Sequence, residues 1–295
     1  MTEKLIDPAP ILDARFTRAL KCHAEGWTSD AKLLCVDILL QQPRHAGALE
    51  LLGVIGCQEQ DYVRAAAFLS RAIQADPDNA ACHLNYGTAL QGLRQLEAAV
   101  ASFSRAIELS PGVAEFHFNR GNAFKQLGRL ADAAADYSES IKLKPSLADA
   151  WWSKSFVLLL AGDFENGLPL FEWRRFRQGG QGGRDFGKPA WTGREPLTGK
   201  TILLHAEQGL GDTIQFCRYA GIVAGLGARV LLEVQPELVT LLGTLQGVAS
   251  VFARGTPLPQ FDCHCALMSL PLLLRTRLDS IPSPPHYLQS TADKR

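Results

Sequence analysis

Prolines stand at Pro43, Pro77, Pro111 and Pro145, each 34 residues after the last. The same step links Gly53, Gly87 and Gly121, then Ala31, Ala65, Ala99 and Ala133, and finally Leu69, Phe103, Tyr137 and Phe171. Four registers sharing one period require stacked copies of one supersecondary unit, each burying its apolar face on the next. Within the copy Ala80 to Val113, apolar residues recur three and four apart. They run through Leu84, Tyr86, Leu90 and Leu93, then through Leu96, Ala99, Val100, Phe103 and Ile107, which predicts two amphipathic helices. Gly87 and Ala99 let the two approach closely, and Phe103 fills the gap beyond them. Pro111 ends the second helix because it has no amide hydrogen to give.

A hairpin of this length, with Gly or Ala in its first helix, Ala-x3-Phe/Tyr in its second and a terminal proline, resembles the tetratricopeptide repeat. Four full units span 12–45, 46–79, 80–113 and 114–147, and a partial fifth spans 148–176. The fifth keeps Gly162 and Phe171 but has Arg174 where the earlier units have Ala72, Ala106 and Ser140. That break suits a last unit packed on something other than another repeat. Stacked units form a superhelix lined inside by the first helix of each hairpin, a groove suited to a protein or peptide. Asn85 and Asn119 occupy one inner position a repeat apart. They either hydrogen-bond a passing peptide backbone, much like the asparagine ladder in O-linked N-acetylglucosamine transferase repeats, or stay solvated or locally bonded.

Lys and Arg number 30, as do Asp and Glu, so no overall charge draws the chain to nucleic acid or to an anionic membrane. Apolar residues at 46% and charged residues at 20% exclude wholesale disorder. Met1 to Ala19 has no signal-peptide form, and the uncharged stretch Leu238 to Ala253 falls short of the roughly 20 apolar residues that span a bilayer. Seven scattered cysteines read as reduced thiols, and the expected setting is cytoplasmic.

Residues 177–200, with Gly-Gly-Gln-Gly-Gly and then Trp-Thr-Gly-Arg and Pro-Leu-Thr-Gly-Lys, read as a linker. Residues 1–176 carry 18 basic and 21 acidic side chains, whereas 177–295 carry 12 and 9, so two domains are expected. From 201 the pattern turns strand-like. Strands are expected at 201–205, 229–234, 250–253 and about 261–265, with helices over 212–226, 236–245 and 269–274, the last interrupted by Pro271. The alternation predicts a three-layer α/β half-domain over 201–290.

Its first strand-to-helix turn, His205-Ala206-Glu207-Gln208-Gly209-Leu210-Gly211-Asp212-Thr213, lies where such sheets bind ligands. A dinucleotide fingerprint wants glycine where Ile214 stands, and the Walker pattern is absent, so no cofactor is expected. Asp212 is well placed as a helix N-cap, or to take a proton from a hydroxyl. His205 reads as a buried strand-end residue or a substrate contact, and Glu207 and Gln208 as solvated loop residues or contacts. Cys263-His264-Cys265 lacks the second ligand pair of structural zinc, so no metal is expected. Trp173, Phe176, Phe186 and Trp191 read as aromatics that seal the repeats to the second half, or as a stacking platform.

The stretch HAEQGLGDTIQFCRY, with KPAWTGREPLTGK before it and FDCHCALMSLPLLL and IPSPPHYL after it, resembles bacterial proteins that join tetratricopeptide repeats to a glycosyltransferase domain of the heptosyltransferase or O-linked N-acetylglucosamine transferase kind. The resemblance implies a Rossmann-like N-terminal lobe of a GT-B-type glycosyltransferase. It implies Asp212 as general base, Gly209 and Gly211 shaping the acceptor loop, and His205, Glu207 and Gln208 beside it. The nucleotide-sugar lobe that follows in those enzymes is not found before Arg295, so a nucleotide-sugar partner is expected only if a second lobe is supplied. The expected function is acceptor binding with impaired glycosyl transfer. The alternative is a non-catalytic protein-interaction scaffold.

Overall fold

The computed structural model describes residues 9–177, 184–283 and 287–288. The glycine run 179–183 and Pro284 to His286 lie outside them. The chain divides into two compact units, Met1–Val157 and Leu158–Arg295, so the boundary falls inside a helix and the partial fifth repeat is shared between the units.

The first unit is built from α1 (Ala9–Ala24), α2 (Thr28–Gln41), α3 (Ala46–Gln58), α4 (Tyr62–Ala75), α5 (Ala80–Gly92), α6 (Leu96–Leu109), α7 (Ala114–Gln126), α8 (Leu130–Leu143) and the start of α9 (Ala148–Leu160). Each hairpin is clamped at one point. A Cβ placed on Gly53 would stand 2.3 Å from Leu69, on Gly87 2.5 Å from Phe103, and on Gly121 2.8 Å from Tyr137. The large side chain of each second helix therefore lies on a bare Cα of the first. In the first unit the same two positions hold Ala19 and Cys35, both fully buried, so a smaller second-helix residue accompanies the added methyl. Ala31, Ala65, Ala99 and Ala133 are fully buried as well, where the helices pack closely.

The turn between paired helices also follows the period. Its left-handed residue falls at Gly26, Gln60, Arg94, Gly128 and Gly162, with φ of 82°, 62°, 63°, 75° and 83°. There the next amide reaches back to an earlier carbonyl, Trp27 to Cys22 at 2.8 Å and Gln95 to Leu90 at 2.9 Å. Side chains of His45, Asp61 and Asn79 cap α3, α4 and α5. Two hairpins are tied by a partly buried ion pair, in which Arg120 on α7 forks onto Asp136 on α8 at 2.8 and 2.7 Å and donates to Ser104 on α6 at 3.0 Å.

The second unit begins with the rest of α9, α10 (Phe164–Phe171) and a tight turn, Glu172–Phe176. It continues through β1 (Thr201–His205), α11 (Leu210–Phe216), α12 (Ala220–Gly225), β2 (Arg229–Val234), α13 (Val239–Leu242), β3 (Val248–Ala253), β4 (Cys263–Ala266) and α14 (Leu270–Leu273). The four strands form one parallel sheet in the order β3-β2-β1-β4. Alternation along the strands sends Ile202, Leu204, Val230, Leu232, Val234, Cys263 and Cys265 into a core with Val223, Leu238 and Leu242.

The expected helices are shorter than their patterns. The stretch 212–226 is two helices around a turn at Cys217–Tyr219, and 236–245 is helical only to Leu242. Pro271 sits in the first turn of α14 rather than interrupting it, where its missing amide is no loss. The four aromatics do not gather at one place: Trp173 pairs with Phe176, Phe186 lies on two histidines of the sheet, and Trp191 is buried in the sheet core.

Gln60 and Arg94 pay the left-handed penalty that glycine avoids. Gln60→Gly and Arg94→Gly are each expected to raise unfolding stability by about 1 kcal/mol, read from the urea midpoint. A lower midpoint would show that their side chains matter more than the backbone.

Candidate functional site

The carboxyl ends of the four strands bring together most of the charged groups buried in the second unit. Arg174, 3% exposed, sits in the turn after α10, where the earlier repeats have small residues. Its guanidinium donates to Glu207 Oε2 at 2.6 and 3.2 Å, to Glu172 Oε1 at 2.6 Å, to Ser269 Oγ at 2.7 Å and to the Phe171 carbonyl at 3.3 Å. Ser269 also accepts from Arg175 at 2.8 Å and donates to Glu172 Oε2 at 3.0 Å, which uses its hydrogen and both lone pairs. Burial opposes the Arg174 charge, but the two glutamates more than offset it and hold the group cationic. Glu207 is thus neither solvated nor open to a ligand, since Arg174 and Arg175 occupy it.

His205, the last residue of β1, is 5% exposed. Its Nε2 lies 3.3 Å from His264 Nδ1 on β4, and the Phe186 ring covers both imidazoles at 4.8 and 4.7 Å. Burial first, then His264, Arg184, Arg175 and Arg254, push His205 down to about 3, so it is neutral near pH 7. Burial lowers His264 too, against a hydrogen bond to the Lys188 backbone. Beside His205 on β2, the buried Glu233 is clasped by Arg184, with Nη2 to Oε1 at 3.0 Å and a second, shorter bond from Nη1.

The loop after β1 is braced from the next strand. Gln235 donates to the Gln208 carbonyl at 2.6 Å and accepts from Thr213 at 2.9 Å. Half-buried Asp212 turns back on this loop, its Oδ2 accepting from the Gly209 amide at 3.1 Å. Gly209 and Gly211 are exposed, and neither has a positive φ. A Cβ on Gly211 would meet nothing, and one on Gly209 only Asp212 Oδ2 at 3.5 Å, so packing inside the chain calls for glycine at neither.

In the repeat unit, Asn85 donates to Glu50 Oε1 at 3.4 Å and Asn119 to the Glu115 carbonyl of its own helix at 2.8 Å. Both amides are half-buried, and among the described residues neither amide oxygen accepts a hydrogen bond. Asn79 also reaches Glu50, at 3.1 Å. Burial raises Glu50 against these two bonds. In the Cys-His-Cys run, alternation turns both cysteines into the core and His264 to the opposite face. Among the described residues no group of three or more His, Cys, Asp or Glu is placed to hold a metal ion, and no helix is long and apolar enough to cross a membrane.

Residues 31–80 and 84–148 match the tetratricopeptide repeat family, so the stacked hairpins are tetratricopeptide repeats. Solved structures of MamA share the fold. One is 21% identical with a TM-score of 0.50, over 52% of this chain and 91% of that one. Another, MamA 41-end from Desulfovibrio magneticus RS-1, is 15% identical with a TM-score of 0.51, over 57% and 97%. These likenesses establish the helical repeat fold. No curated protein matches the chain.

Sequence reasoning flagged Arg174 as a break in the repeat but not its partners, which lie 33 and 95 residues away. Glu207→Ala leaves that buried guanidinium short of charge and is expected to cost roughly 3–5 kcal/mol in urea unfolding, while the uncharged pair Arg174→Met with Glu207→Met recovers most of the loss. An effect of Glu207→Ala under 1 kcal/mol would show that Glu172 and Ser269 suffice.

Proposed function

We propose that the repeat unit binds a protein or peptide, with the chain acting as an interaction scaffold. The observation that carries this reading is the unbroken run of tetratricopeptide repeats, whose stacked first helices line an extended surface. On that surface Asn85 and Asn119 each keep an amide oxygen for the backbone N–H of an extended ligand. The seven free cysteines support a reducing, cytoplasmic setting. Peptides selected on the full chain from a random library are expected to lose at least tenfold in affinity with Asn85→Ala plus Asn119→Ala, at unchanged thermal midpoint. Equal affinity would remove the asparagines from the binding surface, and failure to select any peptide would overturn the scaffold reading.

A second reading is favoured by the parallel sheet and its first loop. The order β3-β2-β1-β4 is that of a doubly wound half-domain, and the residues after β1 stand at the carboxyl edge where such sheets hold ligands. On this reading the unit is the acceptor lobe of a glycosyltransferase. Asp212 takes the acceptor proton, and the bare Gly209 and Gly211 leave room for the acceptor. His205 and the Gln208 backbone flank that loop, while Glu207 holds it through Arg174. A glycine in the first turn of α11 costs up to about 1 kcal/mol against alanine, with no packing return at Gly211. Gly211→Ala is therefore expected to raise stability while weakening acceptor binding. The donor side is read by calorimetry: a nucleotide-sugar that releases heat at micromolar affinity supports transfer, and silence from every nucleotide-sugar leaves the scaffold reading alone.

A further inference from the structure

Arg254 follows β3, where its amide donates to the Val234 carbonyl at 2.7 Å. Its guanidinium reaches across the end of β2 and donates through Nη2 to the carbonyl of Ala206, the residue after His205. Among the described residues no carboxylate lies within ion-pair distance of it, in contrast to Arg174, Arg175 and Arg184. Its Nε is buried without a hydrogen-bond partner. Buried donors are rarely left unmade, because each costs about 1–3 kcal/mol.

The neighbouring His205 is also incomplete: its Nε2 meets His264 Nδ1 at 3.3 Å, while its Nδ1 is buried without a partner. Two orphaned nitrogens thus flank Ala206 at the end of β1.

We infer that this crest binds a small oxyanion, a phosphate or phosphomonoester, with Arg254 donating to its oxygens and His205 Nδ1 taking the remaining hydrogen bond. Arg175 and Arg184 pair with Glu172 and Glu233 and add positive potential, and the Arg175 Nε is likewise buried without a hydrogen bond. The inference rests on the strand ends being a ligand face and not on Asp212 as a base, so it survives if no nucleotide-sugar binds.

The test is a titration of the full chain with inorganic phosphate, sulfate and glycerol 3-phosphate, followed by calorimetry and by the imidazole nitrogen resonances. Phosphate and glycerol 3-phosphate are expected to bind and to shift the His205 Nδ1 resonance. Sulfate, which has similar shape and charge, is expected to compete with phosphate for the same place. Arg254→Gln is expected to weaken phosphate at least tenfold while the exposed Arg277→Gln leaves it within twofold. Vesicles of phosphatidic acid separate a headgroup from a free ligand: binding of glycerol 3-phosphate alone places a soluble phosphomonoester here, and vesicle binding lost with Arg254→Gln places the same group on a lipid. Equal phosphate affinity in Arg254→Gln, or no movement of the His205 Nδ1 resonance at saturation, overturns the inference. The resonance is read on the wild-type chain and does not depend on how any His205 variant folds.

Discussion

The contact that sets the repeat unit is a large side chain on a bare Cα, at Gly53 with Leu69, Gly87 with Phe103 and Gly121 with Tyr137. Interiors are packed too densely to absorb a misplaced methyl, so each contact fixes how closely its two helices approach. In the first hairpin the pair is Ala19 and Cys35, so a methyl on the first helix is met by a smaller side chain on the second. Close approach in turn leaves only a few residues for the turn, and one of them must be left-handed. That is why Gln60 and Arg94 adopt a conformation better suited to the glycines found at 26, 128 and 162.

In the α/β unit the dominant constraint is charge rather than volume. Arg174 is almost wholly buried at the strand ends and would be costly without Glu172, Glu207 and Ser269 around it. Meeting that demand uses up Glu207 and ties the loop after β1 to the turn after α10. A residue foreign to the repeat pattern thus helps join the last helical segment to the sheet within this unit, with Arg175 beside it.

The repeat unit was largely legible because its signals are local and periodic. A 34-residue step shows the hairpins, and proline and glycine mark their ends. The short helices of the sheet were less so. Over 212–226 the apolar spacing continues through Cys217 and Tyr219, yet the chain tightens there into a turn, which periodicity alone does not reveal. The strands at 201 and 229 carry continuous apolar runs and were clear, while β4 is four residues long and its ends are set by pairing to β1. Pairings such as Arg174 with Glu207, Arg184 with Glu233 and Arg254 with the Ala206 carbonyl leave no mark in sequence, because their spacing has no period and depends on the sheet order.

Unsatisfied groups carry different weight according to how far they are buried. The amide oxygens of Asn85 and Asn119 are half-buried, and water meets such a group at little cost. Arg254 Nε and His205 Nδ1 are atoms shut away from solvent, each facing the full desolvation penalty. Two such penalties at adjacent positions are hard to reconcile with a surface that serves packing alone. The covered carboxylates around them point the same way, since Glu172, Glu207 and Glu233 pair with neighbouring arginines, whereas among the described residues no carboxylate pairs with Arg254. A crest whose other described arginines have carboxylate partners and whose Arg254 has none is suited to an anion that arrives from solution.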